Sequence, residues 1–477
     1  MTKRTKNGVL LVGKAAETVT GSHMLVNYNE HQLLLECGLY QSSNIMEAYR
    51  INTAPLPYNP KDLMAILVQH AHVDHSGLIP RLYKLGCRAR IIMSRSCAFI
   101  VKLLWDNSAY LLNKEACRLS KQTGRVYEPV YTKEDVDLAW SFVDFYDDYD
   151  TIYTLDKDVK FQWLRNGHCL GARQVQLILG TNGDTKKIFY TSDIGALKPD
   201  NHFVTETEIP DFYNHITIME STHGDPKSAT NRKREKELKI IKGIIETTVN
   251  ERHGTVVMPV FAFAKLQELM VTLYEMFHDD PTWKTKIYVD TMLGVDVAKE
   301  YLKLLEGEDL ELWKKVMAWD KLKLVREYED SEALLRDDHS KIVLSASGFG
   351  SNGRVVNHLK KVVKDDKNAI IVTGYPGSDN TYLTRRLLAE KNSNKINIEG
   401  ITYPYRASIH VMKTFSSHID YKELVRYAGS VRTDKLVLVH GDMENKMKLA
   451  PAVIEERSKN NVNTNLIIGK QGMFIEL

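Results

Sequence analysis

No stretch of this 477-residue chain is apolar over the roughly 20 residues that a membrane-spanning helix requires. The first eight residues, Met1 to Gly8, are not followed by the apolar core of a secretion signal. A soluble, non-secreted, cytoplasmic chain with no membrane contact is therefore expected. Cysteine is scarce: Cys37, Cys87, Cys97, Cys117 and Cys169 are odd in number and form no Cys-x-x-Cys pair. That pattern argues against a disulfide framework and a thiolate metal site, and it fits a reducing compartment. All five are expected to be packing residues. A strong charge of either sign is also missing. With a formal net charge of +3, any contact with nucleic acid must come from a local patch.

Apolar residues make up 43% of the chain, enough for well-filled cores, and the length exceeds what one core supports, so two domains are expected. The most informative stretch is Val68-Gln69-His70-Ala71-His72-Val73-Asp74-His75-Ser76-Gly77. It follows the apolar run Leu63 to Val68, which reads as a buried strand. Residues i and i+2 of an extended exit point the same way. His70 and His72 can thus reach one ion, while the turn that follows aims Asp74 and His75 at a second. Imidazole and carboxylate donors suit zinc.

The chain opens as a β-meander, with short strands at Val9–Val12, Met24–Tyr28 and Gln32–Glu36. The last of these places an acid, Glu36, at a strand end before Cys37-Gly38. Ile79 to Leu85 reads as a helix, Ala89 to Met93 as a strand, and Ser96 to Trp140 as a helical layer, with a capping box at Thr132-Lys133-Glu134-Asp135. Strands return at Val159–Leu164, Gln174–Leu179 and Lys187–Thr191, the last two joined as a hairpin through Thr181-Asn182-Gly183-Asp184. Two further candidate ligands stand at these strand ends: His168, within Gly167-His168-Cys169-Leu170-Gly171, and Asp193, a carboxylate suited to bridge two metals.

The polar stretch from Pro199 to Pro210 marks a boundary. Beyond it, strand Ile216–Glu220 ends in an acid, and an amphipathic helix spans Asn231 to Val249. Strands near 254–258, 286–289, 341–344 and 369–373 alternate with helices near 265–277, 295–305 and 353–363. This is the pattern of a mostly parallel sheet with helices on both faces. Short strands resume near Tyr403. His418 follows Ser416-Ser417 and precedes a helix, and His440 ends the apolar strand Lys435–Val439 before Gly441, the same placement as His70.

These residues together resemble a known family. His70-Ala71-His72-Val73-Asp74-His75-Ser76-Gly77, Gly167-His168, Ser192-Asp193 and His440-Gly441 are similar to the metal-binding motifs of the metallo-β-lactamase fold. Glu220-Ser221-Thr222-His223-Gly224, Phe415-Ser416-Ser417-His418 and Val439-His440-Gly441 resemble the additional motifs of its β-CASP branch, which includes ribonuclease J and the endonuclease subunit of the cleavage and polyadenylation specificity factor. Val19-Thr20-Gly21-Ser22, Pro259 to Leu269, Ser345-Ala346-Ser347-Gly348 and Thr373-Gly374-Tyr375-Pro376 also fit that pattern.

The resemblance implies an α/β fold: a metallo-β-lactamase αββα sandwich formed by residues 1–205 and 403–477, interrupted by a β-CASP domain at 206–402. It implies two zinc ions, one held by His70, His72 and His168 and the other by Asp74, His75 and His440, with Asp193 between them. Asp74, Glu220 and His418 would be the catalytic side chains. Glu220 would orient a ligand histidine and His418 would act at the leaving group. Glu36, Lys265, Ser345, Ser347 and Gly348 would support the site or the substrate. The partner implied is single-stranded RNA, admitted by a cleft between the domains, and a homodimer is compatible with the family. With no RNA-binding module before residue 10 and no long domain after 477, the chain resembles the compact members.

Four positions depart from the family pattern: Glu36 for aspartate, Gln69 for threonine, Ser192 for glycine and Lys265 for arginine. The extra methylene of Glu36 bears on rate more than on metal binding. The expected activity is hydrolysis of RNA phosphodiesters, as endonuclease, 5′ exonuclease or both. The alternatives are a catalytically weak or inactive metal-binding scaffold of an RNA-processing complex, and a small-molecule hydrolase.

Overall fold

Alternating apolar residues in the opening meander (Val9 and Leu11, Met24 and Val26, Leu33 and Leu35) form one wall of a core whose other wall is Phe161, Trp163, Val175, Leu177, Ile188, Ile216, Ile218 and Val437. Each wall is a seven-stranded sheet. In the computed structural model, which describes residues 6–181, 183–229, 234–350, 352–374, 380–413, 415–460, 462 and 465–477, the first sheet runs in the order Phe474–Glu476, Gly8–Leu11, His23–Tyr28, His31–Cys37, Ala65–Leu67, Arg90–Met93 and Val143–Phe145. The second runs Asn465–Ile468, Arg432–Val439, Tyr213–Glu220, Lys186–Tyr190, Arg173–Leu179, Val159–Arg165 and Tyr153–Asp156. Helices cover the outer faces. Arg95–Thr123 and Lys133–Trp140 belong to the side of the first sheet. On the second, Leu424, Tyr427, Leu449 and Val453 of helices Tyr421–Ser430 and Met443–Lys459 bury against Phe189, Met219, Leu436 and Leu438. This is an αββα sandwich of the metallo-β-lactamase type.

The chain divides into two compact units. Residues 1–199, 204–229 and 417–477 form the sandwich, and residues 200–203 and 230–416 form the other. These borders differ from those expected at 205/206 and 402/403. Tyr213–Glu220 stays with the sandwich because it pairs in parallel with both Lys186–Tyr190 and Arg432–Val439. Ser408–Met412 goes with the second unit because it pairs with Ala369–Thr373.

The second unit is built on a six-stranded, wholly parallel sheet in the order Leu322–Val325, Lys286–Asp290, Lys341–Ser345, Thr255–Pro259, Ala369–Thr373 and Ser408–Met412. Buried strands such as Ile342-Val343-Leu344 and Ala369 to Val372 carry apolar side chains on both faces, as helices on both sides require. Helices Lys265–Phe277 and Arg354–Val362 lie close to the ranges that periodicity predicts. Helix Gly307–Ala318, strand Leu322–Val325 and helix Tyr328–Arg336 are not predicted, since charges interrupt their apolar pattern. The amphipathic helix expected from Asn231 is described from Arg234 to Glu246. The positions Asn231, Arg232 and Lys233, the turn residue Asn182, Thr414, and Tyr375-Pro376 lie outside the described residues. One cysteine differs from expectation: Cys117 is exposed, while Cys37, Cys87, Cys97 and Cys169 are buried, and all five are free thiols.

Candidate metal centre

Strand Ala65–Leu67 is only three residues long, and it delivers the chain at His70 to one edge of the sandwich. A single helical turn, Val73–Ser76, then reverses the direction. His70 and His72 therefore leave on the extended segment, and Asp74 and His75 on the turn. Two glycines make the convergence of loops possible. A Cβ on Gly38 would lie 1.7 Å from the carbonyl oxygen of Asp74, and one on Gly195 would lie 2.0 Å from the backbone of Gly167. Asn166 joins the remaining loops, its amide donating to the Asp193 carbonyl at 2.7 Å while its oxygen accepts from the His168 N–H at 2.9 Å.

The result is two adjoining groups of donor atoms, each within a 4.8 Å span: His70, His72 and His168, and Asp74, His75, Asp193 and His440. Imidazole nitrogens face one another at 3.2 Å, His168 Nε2 to His72 Nδ1 and His75 Nε2 to His440 Nε2. His70 Nε2 and Asp193 Oδ1 are buried without a well-aligned hydrogen bond. Asp193 Oδ1 does lie 2.9 Å from His440 Nδ1, a contact of charge rather than of hydrogen-bond alignment. Lone pairs opposed at hydrogen-bond distance inside a protein are unfavourable unless a proton or a cation lies between them. The donor set of imidazoles and carboxylates is that of a zinc site, so the residues present fit a bound metal of that kind.

The protonation of these groups divides them. Burial, reinforced by neighbouring imidazoles, lowers His70 and His168, and lowers His72 to about 3, keeping lone pairs available for a metal. Burial opposes charge on His75 and His440 too, but the Asp193 carboxylate, helped by Glu36 and Asp74, outweighs it. It raises His75, and it raises His440 to about 10. Without metal these two imidazoles keep protons that an ion would displace.

Behind the donors lies a carboxylate hub. Glu36 is fully buried, and its backbone adopts a left-handed φ of 62°. Its Oε2 accepts from Ser22 Oγ at 2.8 Å, Tyr190 OH at 2.6 Å and His75 Nδ1 at 2.6 Å, and its Oε1 accepts from Ser192 Oγ at 2.5 Å. With its amide turned so that nitrogen faces the carboxylate, Gln69 donates to the same Oε1 at 3.2 Å. Ser192 Oγ also lies 3.0 Å from His70 Nδ1. Three of the four departures from the family pattern thus meet at one carboxylate, Gln69 and Ser192 both reaching Glu36. The longer acid reaches a hydroxyl and an amide that the usual residues would not provide. Ser192 keeps the positive φ of 55° that suits a glycine.

Glu220 ends strand Tyr213–Glu220, fully buried. It accepts from Ile194 N at 2.8 Å, Thr222 N at 3.1 Å and His418 Nδ1 at 3.0 Å. A carboxylate only accepts, so the Nδ1 proton of His418 is committed to Glu220, and Nε2 is presented 3.9 Å from Asp193 Oδ2. Burial disfavours the charged ring, but Glu220 and then Asp193 outweigh it and raise His418. Glu220 contacts His418 rather than one of the seven donor residues. Ser22, which lies in the Val19-Thr20-Gly21-Ser22 stretch, completes the support together with Tyr190 and Asn166; the last two escape sequence reasoning, because a lone polar residue at a strand end has no local signature.

The remaining expected site residues sit in the second unit. Lys265 opens helix Lys265–Phe277, donates to the Phe415 carbonyl, and is lowered to about 8 by burial. Ser345 ends its strand with its hydroxyl on the Asp290 carbonyl at 2.7 Å. Ser347 Oγ bonds the Asn352 carbonyl at 3.4 Å, and Gly348 packs where a Cβ would meet the Phe261 ring at 2.6 Å.

Comparison with known proteins bears on both units. Residues 266–387 match the family model of the Beta-Casp domain, and residues 402–464 that of the Zn-dependent metallo-hydrolase RNA specificity domain. A ribonuclease of Thermus thermophilus is 27% identical over 448 residues, covering 91% of this chain and 93% of that protein. An RNase J-like protein of Methanocaldococcus jannaschii is 26% identical, covering 90% and 91%. The endoribonuclease YSH1 of Eremothecium gossypii is 24% identical over 94% of this chain, which spans 56% of that relative. Among solved structures, a protein of unknown function from Enterococcus faecalis aligns over 99% of this chain and 100% of its own, with a TM-score of 0.52 and 13% identity, a likeness of fold.

Proposed function

From its place among the β-CASP metallo-hydrolases, we propose that this chain is a zinc-dependent ribonuclease that hydrolyses phosphodiester bonds of single-stranded RNA in RNA processing or decay. The observation that carries the reading is the convergence of seven buried or half-buried donors beside the His418–Glu220 pair. His70, His72 and His168 would hold one zinc and Asp74, His75 and His440 a second, with Asp193 a donor within reach of the second group. When bound, such a pair supplies a water nucleophile at neutral pH and stabilises charge on the phosphate.

The protein's own groups do the rest. Glu36 fixes His75 through Nδ1, so that its Nε2 faces the site. Ser192 does the same for His70. His418 keeps its Nδ1 proton on Glu220 and delivers a proton from Nε2 to the departing ribose oxygen, a transfer of the general-acid type. Burial opposes a charge on that ring, but the pull of Glu220 and Asp193 outweighs it and raises its pKa, which favours the protonated form. The five free thiols favour action in a reducing compartment such as the cytoplasm. The test is a product ladder from labelled RNA bearing 5′-hydroxyl, monophosphate or triphosphate ends, with zinc-loaded and chelator-treated protein. Zinc-dependent cleavage is expected, and the dependence on the 5′ end distinguishes internal from terminal attack. No cleavage of any RNA by zinc-loaded protein would overturn the reading.

A further inference from the structure

Helix Arg95–Thr123 is rooted beside the metal centre. The Trp105 indole donates to the Ser76 carbonyl at 2.9 Å, and the Ser94 cap donates to the Gly171 carbonyl at 2.7 Å. Beyond Trp105 its outer face changes character. Tyr110, Lys114, Arg118 and Lys121 are all exposed. Steps of four, four and three residues at 100° each keep them within an arc of about 80°, along about 16 Å of helix. Arg125, exposed just past the Gly124 cap, continues the line.

The stripe is not neutralised. From Asn107 to Tyr127 there are four cations against one acid, Glu115, so this short stretch carries an excess of three, equal to that of the entire chain. Among the described residues no carboxylate lies within ion-pair distance of any of the four, Glu115 acting on Arg118 only from further off, whereas Lys102 and Lys133 are paired with Asp106 and Asp137. The aromatic and apolar members are exposed as well: Tyr110 by 51%, with Lys114 Nζ 4.4 Å over its ring, and Val126 by 88%. Unpaired cations in line with an exposed aromatic ring are the elements of a surface that tracks a single nucleic-acid strand, cations on phosphates and rings on bases.

We infer that the exposed face of this helix, formed by Tyr110, Lys114, Arg118, Lys121 and Arg125, is an exosite that binds the part of a single-stranded RNA lying outside the metal centre. The inference rests on the ribonuclease reading and adds a length dependence to it. The comparison is between an RNA of about 6 nucleotides, about 20 Å at about 3.4 Å per nucleotide, and one of about 30, about 100 Å and long enough to lie on the centre and the stripe together. The test is cleavage by the zinc-loaded full chain and by the quadruple variant Lys114→Gln, Arg118→Gln, Lys121→Gln, Arg125→Gln. A control carries the same charge loss at Lys61, Lys157, Lys160 and Lys187, and melting curves confirm that both are folded. For the long RNA, KM should rise roughly tenfold or more in the stripe variant with kcat unchanged. The slope of log affinity against log salt should fall by about 3, at about 0.7 for each phosphate no longer neutralised. The short RNA should not distinguish the stripe variant from the parent, and the control should match the parent on both. Equal losses on short and long RNA, equal losses in the control, or no loss on the long RNA would each overturn the exosite. Failure of the parent to cleave either RNA would instead overturn the ribonuclease reading. Retention of all RNA kinetics would leave the stripe to a different partner, such as an acidic protein surface.

Discussion

Replacing Glu36 by glutamine changes almost no volume and removes one charge from the centre of the carboxylate hub. In the native chain Oε2 receives Ser22, Tyr190 and His75, and Oε1 receives Ser192 and the turned amide of Gln69. Glutamine can keep its oxygen toward the first three and turn its amide nitrogen to Ser192, whose hydroxyl can rotate to accept, and to Gln69, whose amide can turn back to present its oxygen. Geometry therefore survives and the charge does not. A hydrogen bond to an ionised group contributes about 1.5–3 kcal/mol and a neutral one about 0.5–1.5, so four bonds weakened by about 1 kcal/mol each cost about 4 kcal/mol. Relief from burying the charge offsets part of that, leaving an expected loss near 2 kcal/mol in the metal-free protein. The effect on zinc is separate. A ligand imidazole that loses its supporting carboxylate typically loses 10–100-fold in metal affinity. The assay is a chelator competition for zinc alongside urea unfolding of the metal-free protein. Wild-type zinc affinity and wild-type unfolding together would refute the claim that Glu36 holds His75 and the Ser192 loop in place. Glu36→Asp is the companion variant. It draws the carboxylate back by about 1.5 Å, one carbon–carbon bond, too far to keep both sides of the hub, so it should lose rate.

Other consequences are equally direct. Elemental analysis should find about two zinc ions per chain, falling in His70→Ala and Asp193→Ala together with activity; metal-free protein that cleaves RNA would contradict the site. Gly195→Ala places a Cβ 2.0 Å from the Gly167 backbone and should cost about 1–3 kcal/mol by overpacking. It should also lower zinc affinity, because the His168 and Asp193 loops must part; an unchanged melting temperature and zinc affinity would refute that packing. In the second unit, His202 is partly exposed. Burial lowers its pKa, but the hydrogen bonds its ring donates to Glu268 and Glu275 prevail and raise it from 6.5 to about 9. Its folded value lies above its unfolded one, so the stability it adds is complete below about pH 6.5 and is lost as pH rises through about 9. After discounting for solvent screening, wild type should exceed His202→Gln by about 1–2 kcal/mol at low pH and match it above about pH 9; a difference that grows with pH would contradict the pairing.

Much of the donor set was legible because its members are close in sequence or share one placement. His70, His72, Asp74 and His75 lie within six residues, and His440 repeats the setting of His70 at the end of an apolar strand. The parallel sheet of the second unit was legible from its doubly buried strands. The carboxylate hub was not. Ser22, Gln69, Tyr190 and Ser192 meet Glu36 only after three loops from two sheets have folded together, and no local periodicity marks a hydroxyl that will face a buried acid. Glu220 shows the same limit. Its position at a strand end is visible in the sequence, but its partner, His418, nearly 200 residues away, is set by the return of the chain to the sandwich. The unit borders shifted for a related reason, since strand pairing rather than loop composition decides where a segment belongs.

The central claim gives His418 and His440 different tasks in neighbouring places, and one substrate tells them apart. His418 Nδ1 is held by Glu220, whereas His440 Nε2 faces His75 Nε2 at 3.2 Å across the donor cluster. The measurement is single-turnover cleavage of an RNA whose 3′ leaving oxygen is replaced by sulfur, which leaves without needing a proton, by wild type, His418→Ala and His440→Ala with zinc content determined in each. General-acid catalysis contributes about 10²–10⁴-fold. His418→Ala should therefore lose that much on ordinary RNA, keep its zinc, and recover most of the rate on the sulfur substrate, while His440→Ala loses zinc and is rescued by neither substrate. Zinc loss in His418→Ala, or a sulfur substrate that fails to restore its rate, would contradict the assignment.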